Sequence, residues 1–164
     1  MVANQTLGGR HLIDTVVDHV REGASVHVTV PASEIDRYDL QGHTPERIAQ
    51  HRLDRELERL AAAGVTATGN VGPADPMEAI EEQLATGHFT GIIISTLPRP
   101  ISRWLRMDLP HRVVREFKLP VEWLESHGDN DDPITVHIAV PPDALRNLRR
   151  PNVHHHDMDP MVTH

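Results

Sequence analysis

The chain has no cysteine among its 164 residues and a single lysine, Lys118. The first absence excludes a disulfide framework, thiol catalysis and cysteine-ligated zinc, and it fits a reducing cytoplasm. Long apolar runs are missing too. No stretch approaches the roughly 18 residues a membrane-spanning helix needs, and the N-terminus lacks the basic and apolar regions of a signal peptide. Several catalytic signatures are also absent: a Gly-x-Ser-x-Gly elbow, a Walker lysine motif and a His-Glu-x-x-His zinc motif. These gaps point away from an enzyme. With a formal net charge of −8, the balance also argues against generic nucleic-acid binding.

What is present is a strict alternation of strand and helix patterns. Met1–Asn4 reads as a short first strand and Gln5–Gly9 as a turn. Leu12, Val16 and Val20 recur at helical spacing, and Gly23 follows as a stop. Ser25–Val30 alternates as a strand that ends at Pro31. Thr44-Pro45-Glu46 opens a second helix with an N-cap, a first-turn proline and an acid, and Ala49, Leu53, Leu57 and Leu60 line its apolar face. Val65–Val71 is a weaker strand. Asp75-Pro76-Met77-Glu78 starts a third helix, with Met77, Ile80 and Leu84 buried. Gly91-Ile92-Ile93-Ile94 is too short for a helix and suits a strand buried on both faces. A helix over about 109–117 and a strand over 119–124 complete the series. Pro120 near the start of that last strand marks it as an edge. Alternation of this kind implies an α/β fold: a single doubly wound, five-stranded parallel sheet with helices on both faces.

The chemistry concentrates after the fourth strand. Residues 95–115 carry five arginines (99, 103, 106, 112 and 115) against one carboxylate, Asp108, a local balance of +4 in an acidic chain. Ligands of open α/β sheets bind at the carboxyl ends of strands, so a cationic loop here is a candidate anion site. Arg99, Arg103 and Arg106 can offer bidentate donors to a phosphate, with Ser95, Thr96 and Ser102 nearby. Trp104 either stacks on a base or packs the loop onto the domain, and the packing role is favoured. Asp108 would repel phosphate. It reads as the N-cap of the helix that follows.

The element order and three segments resemble the universal stress protein family. These are Val71–Ile80, the run Ile93-Ile94-Ser95-Thr96 with Ile101–Leu105, and Arg112-Val113-Val114-Arg115 followed by Leu119-Pro120-Val121. The resemblance covers residues 1–125. It implies the strand order 3-2-1-4-5 and an ATP or other adenine-nucleotide ligand. Nucleotide-binding members use Gly-x2-Gly-x9-Gly-[Ser/Thr], whose glycines let backbone N–H groups approach phosphate. Here Ser95 and Pro98 take the first two glycine places, and Met107-Asp108 or Asp108-Leu109 takes the last. Asn4-Gln5-Thr6 stands where an acidic residue is usual. The implied ligand shell is Asn4, Thr6, Val30, Ser95, Thr96, Arg99, Ser102, Arg103, Arg106 and Asp108, with side chains replacing the lost cradle.

The resulting expectation is a non-enzymatic cytoplasmic regulator that binds a nucleotide or another phosphorylated anion. It would dimerise through the edge strand 119–124 and engage a regulatory protein partner. The alternative is a dimeric interaction module that has lost nucleotide binding; a weak ATPase is a lesser rival. Beyond the α/β unit, residues 126–150 read as a linker with a possible extra strand (134–140) and a short helix (141–150). Residues 151–164 read as a disordered tail. Its His154-His155-His156 run is a weak, adventitious metal site rather than a physiological one.

Overall fold

The computed structural model describes residues 1–3, 6–7, 9–33, 42–97, 102–125 and 135–143. In chain order these form β1 (Val2–Ala3), α1 (Arg10–Arg21), β2 (Val26–Pro31), α2 (Pro45–Ala62), β3 (Ala67–Gly72), α3 (Pro76–Thr86), β4 (Ile92–Thr96), α4 (Arg103–Arg106), α5 (Leu109–Phe117), β5 (Val121–Glu125) and β6 (Thr135–Ala139). Among them no helix is long and apolar enough to cross a membrane.

The helix starts follow from local chemistry. Asp75 accepts the Met77 and Glu78 N–H groups at 2.7 and 3.4 Å, satisfying two donors that an α-helix leaves unpaired. Thr44 does the same for Arg47 at 3.4 Å. Proline sits in the first turn of both helices, where a missing N–H is harmless. Gly23 and Gly64 follow α1 and α2 with φ of 97° and 81°, the left-handed conformation that ends a helix.

The sheet runs β3-β2-β1-β4-β5-β6. Its first five strands are parallel and in the expected order. The sixth corrects the expectation of a purely parallel five-stranded sheet. β6 pairs antiparallel with β5, Trp123 opposite His137 and Val121 opposite Ala139. The strand expected over 119–124 begins at Val121 and is therefore not an edge. Pro120 precedes the ladder, where its missing N–H costs nothing, and its carbonyl accepts from Ile92 at 3.0 Å. Residues 121–125 thus have no open edge for a second copy to pair with, since β4 and β6 occupy both sides. The proposed helix over 141–150 falls largely outside the described residues, as do 126–134 and 144–164.

Two cores flank the sheet. On one side Leu12 and Val16 of α1 and Ala49, Leu53 and Leu60 of α2 pack on Ala3, Val28, Val30 and Leu124. On the other, Met77 and Ile80 of α3, Leu105 of α4, and Leu109 and Val113 of α5 cover Val2, Ile92, Ile94, Val121 and Trp123. Glu56 lies fully buried on the inner face of α2, its carboxylate 3.9 Å from the Arg59 guanidinium.

α5 ends at Lys118, which holds φ 58° and closes the last turn through its N–H to Val114 O at 3.1 Å. A left-handed residue with a Cβ costs about 1–2 kcal/mol relative to glycine. Part of that is offset because glycine also frees the unfolded chain. Lys118→Gly is therefore expected to be more stable than Lys118→Ala by about 1 kcal/mol. Comparing the two neutral variants by urea unfolding removes the effect of the lost charge.

Candidate anion site at the carboxyl edge

The strand order reverses between β1 and β4, so their carboxyl ends flank the crevice where α/β ligands usually sit. Here hydroxyl groups bond across that crevice. Ser95 Oγ, at the end of β4, donates to Thr6 Oγ1 of the turn after β1 at 2.7 Å. Next to it Thr96 Oγ1 and Ser102 Oγ lie 2.6 Å apart. Ser102 also accepts the Leu105 N–H at 3.2 Å and so caps α4. All four side chains are buried. They form a seam that ties the turn after β1 and the start of α4 to the end of β4, each hydroxyl bonded to its partner.

The expected ligand shell therefore divides. Thr6, Ser95, Thr96 and Ser102 do come together, but inside the protein. Val30 is fully buried in the α1–α2 core. Asp108 occupies the N-cap position of α5 without capping it. Its φ of 55° is left-handed rather than the extended conformation that aims a cap side chain at the helix N–H groups. The carboxylate instead meets His111 Nδ1 at 2.6 Å. Asn4 and Arg99 lie outside the described residues, as does the side chain of Arg106, the last residue of α4. Of the described members of the expected shell, Arg103 lines an open cavity.

That cavity has a volume of about 190 Å³ and lies outward of the seam, between the ends of β2 and β3 and the α4–α5 corner. Ser33, Ala74, Asp75, Pro76 and Met77 form one wall, and Arg103, Trp104, Met107, Leu109 and Arg112 the other. Arg112 comes from α5 one turn after Leu109, a spacing that puts the two on one face. Trp104 is half-buried against the core formed under α3, α4 and α5, so it packs onto the domain as well as lining the cavity.

No protein-family model matches the chain, and no curated protein matches it. The reading of this site rests on its own chemistry. Among the described residues, neither the Arg103 nor the Arg112 guanidinium has a carboxylate within ion-pair distance, and neither guanidinium takes part in another polar contact. The one acid in the wall, Asp75, is engaged by two N–H groups at the start of α3. The cavity thus presents two guanidiniums that no described carboxylate pairs directly, beside the capping carboxylate of Asp75, an indole and two methionines.

Arg112 was absent from the expected shell, although the sequence held its signal. Once α5 starts at Leu109, the helical period carries residue 112 back over the residues before the helix. The other wall was less legible. Asp75 to Met77 join the site only because α3 and α4 share one face of the sheet. Among the described residues no cluster of acids and histidines could hold a metal ion. The His154–His156 run lies outside them.

Proposed function

We propose that the chain is a non-enzymatic regulatory module of universal-stress-like architecture, acting in the cytoplasm, that holds a small phosphorylated anion between Arg103 and Arg112. The observation that carries this reading is the pair of guanidiniums sharing one cavity with no carboxylate partner among the described residues. Guanidinium groups recognise phosphate by paired, charge-assisted hydrogen bonds, which need no glycine backbone. Size narrows the ligand. Pockets that enclose drug-sized molecules span about 300–1,000 Å³, and this one holds about 190 Å³. A nucleoside monophosphate partly enclosed by Trp104 and Met77 suits it better than a triphosphate. The paired hydroxyl seam supports a site moved outward from β4. Among the described residues of the wall the one acid, Asp75, is a helix cap, which supports binding without turnover.

Calorimetric titration with AMP, ADP, ATP and cyclic AMP tests this. Saturable heat is expected with AMP at least as strong as with ATP, and weaker at high salt. The double variant Arg103→Ala/Arg112→Ala should lose about tenfold or more in affinity, since one charge-assisted bond contributes about 1.5–3 kcal/mol. Silence with every anion, at protein concentrations far above micromolar, would instead favour the interaction-module reading.

A further inference from the structure

Asp75 holds the start of α3 with one oxygen only. Its Oδ1 accepts both the Met77 and the Glu78 N–H, at 2.7 and 3.4 Å. Among the described residues Oδ2 takes no hydrogen bond, and the carboxylate meets no cation within ion-pair distance. Asp75 is exposed, and it lines the cavity on the wall opposite Arg103 and Arg112. The cavity is therefore bipolar. One side offers guanidinium donors, the other an ionised acceptor. A bare anion is attracted by the first and repelled by the second. A ligand that also carries hydrogen-bond donors close to its phosphate gains from both, because a carboxylate oxygen can accept two bonds.

We propose that Asp75 selects the sugar of the ligand: Oδ2 accepts the 2′- and 3′-hydroxyls of a nucleoside monophosphate whose phosphate lies between Arg103 and Arg112. This rests on the anion site proposed above and adds the class of compound that site prefers, a ribonucleotide over its deoxy counterpart and over inorganic phosphate. In such a ligand the ribose hydroxyls are the donors nearest the phosphate, and the amine of the base lies farther off. The cavity is small, about 190 Å³, so a molecule that reaches the guanidiniums also lies near the opposite wall. Capping does not compete with this role, since it uses Oδ1. Selectivity follows from what a missing hydroxyl leaves behind. A bound nucleotide displaces water from the cavity side of the carboxylate, and one without the diol leaves that charge unpaired.

Calorimetry of the full chain with AMP, 2′,3′-dideoxy-AMP and inorganic phosphate tests the idea. Wild type should bind AMP about tenfold or more tightly than the dideoxy compound, the loss expected for a bond to a charged group. Asp75→Ser keeps one capping oxygen, and serine caps about as well as aspartate, but it removes Oδ2 and the charge. This variant should bind AMP and dideoxy-AMP alike, hold inorganic phosphate at least as tightly as wild type, and keep the wild-type urea midpoint. Opposite responses to AMP and to phosphate separate sugar recognition from a general weakening of the site. Equal affinity of wild type for AMP and dideoxy-AMP overturns the proposal and leaves the anion site intact, with no variant needed. So does an Asp75→Ser chain that keeps the wild-type preference. Wild type that binds neither AMP nor phosphate, or AMP binding that survives Arg103→Ala/Arg112→Ala, overturns the anion site and this proposal with it.

Discussion

Trp123→Ala is expected to lower stability by about 3–5 kcal/mol, the range for emptying a large buried aromatic site. Trp123 is 8% exposed and lies where three elements meet. On β5 it is paired with Ile94 of β4 on one side and His137 of β6 on the other. The His137 ring stacks on it with 14° between planes, and His111 of α5 meets it edge-on at 5.3 Å. Among the described residues, β6 is held to the rest mainly by its ladder with β5, by this stack, by Ala139 at the rim of the core and by the His137–Glu125 pair at 3.1 Å. Removing the indole should therefore do two things. Urea unfolding should show the global loss, and amide exchange across 135–139 should accelerate beyond what that loss explains. Trp123→Phe, which keeps a ring in the stack, should lose less and keep β6 protected. A loss under about 1 kcal/mol for the alanine variant, typical of surface sites, would mean that the β5–β6 corner is not part of the cooperative core.

Between pH 5 and pH 8, stability is expected to rise by roughly 4 kcal/mol from one group, the α-amine of Met1. The amine donates to His27 O at 2.6 Å, and the neighbouring Met1 carbonyl accepts from Thr29 at 2.8 Å. Burial disfavours its charged form and lowers its pKa from 8.0 to about 5. The sign follows from proton counting. Across that window the unfolded chain binds a proton that the folded chain does not, so stability climbs with pH. The deficit is full below about 5 and gone above 8.0. The amine's share appears as the difference between free and Nα-acetylated chains. Labelling gives a second measurement. The chain with a free Met1 amine has two primary amines, and that of Lys118 is exposed. An acylating reagent at pH 7 should modify Lys118 first in the folded protein and Met1 first in urea. Equal or faster labelling of Met1 in the folded state would contradict the burial.

Much of the scaffold was written in patterns that depend on neighbours within a few residues. Asp75-Pro76 and Thr44-Pro45 specify helix starts by hydrogen bonding, and the Ile92–Ile94 run specifies a central strand by needing two covered faces. What failed depended on distant partners. β5 looked like an edge because Pro120 stands before it, yet whether Trp123 is left open is decided by Thr135–Ala139 across a separate segment. Glu56 was passed over because apolar periodicity counts only apolar residues. Residues 49, 53, 56 and 60 nonetheless form one helical face, with Leu57 at its margin. Ser95 and Thr96 stand at the end of β4, but composition could not reveal that Thr6 and Ser102 would occupy their hydroxyls. Asp108 was placed at the right cap position with the wrong bond, since its left-handed backbone sends the carboxylate to His111.

The central claim is that the hydroxyl seam is structural and the arginine pair is the binding site. AMP titration of three proteins side by side tests it most directly: wild type, Ser95→Ala, and Arg103→Ala/Arg112→Ala. The account predicts that Ser95→Ala lowers the urea midpoint yet binds AMP like wild type, while the arginine variant keeps its midpoint and loses about tenfold or more in affinity. Binding that survives without the two guanidiniums, or vanishes with the Ser95 hydroxyl alone, would contradict it.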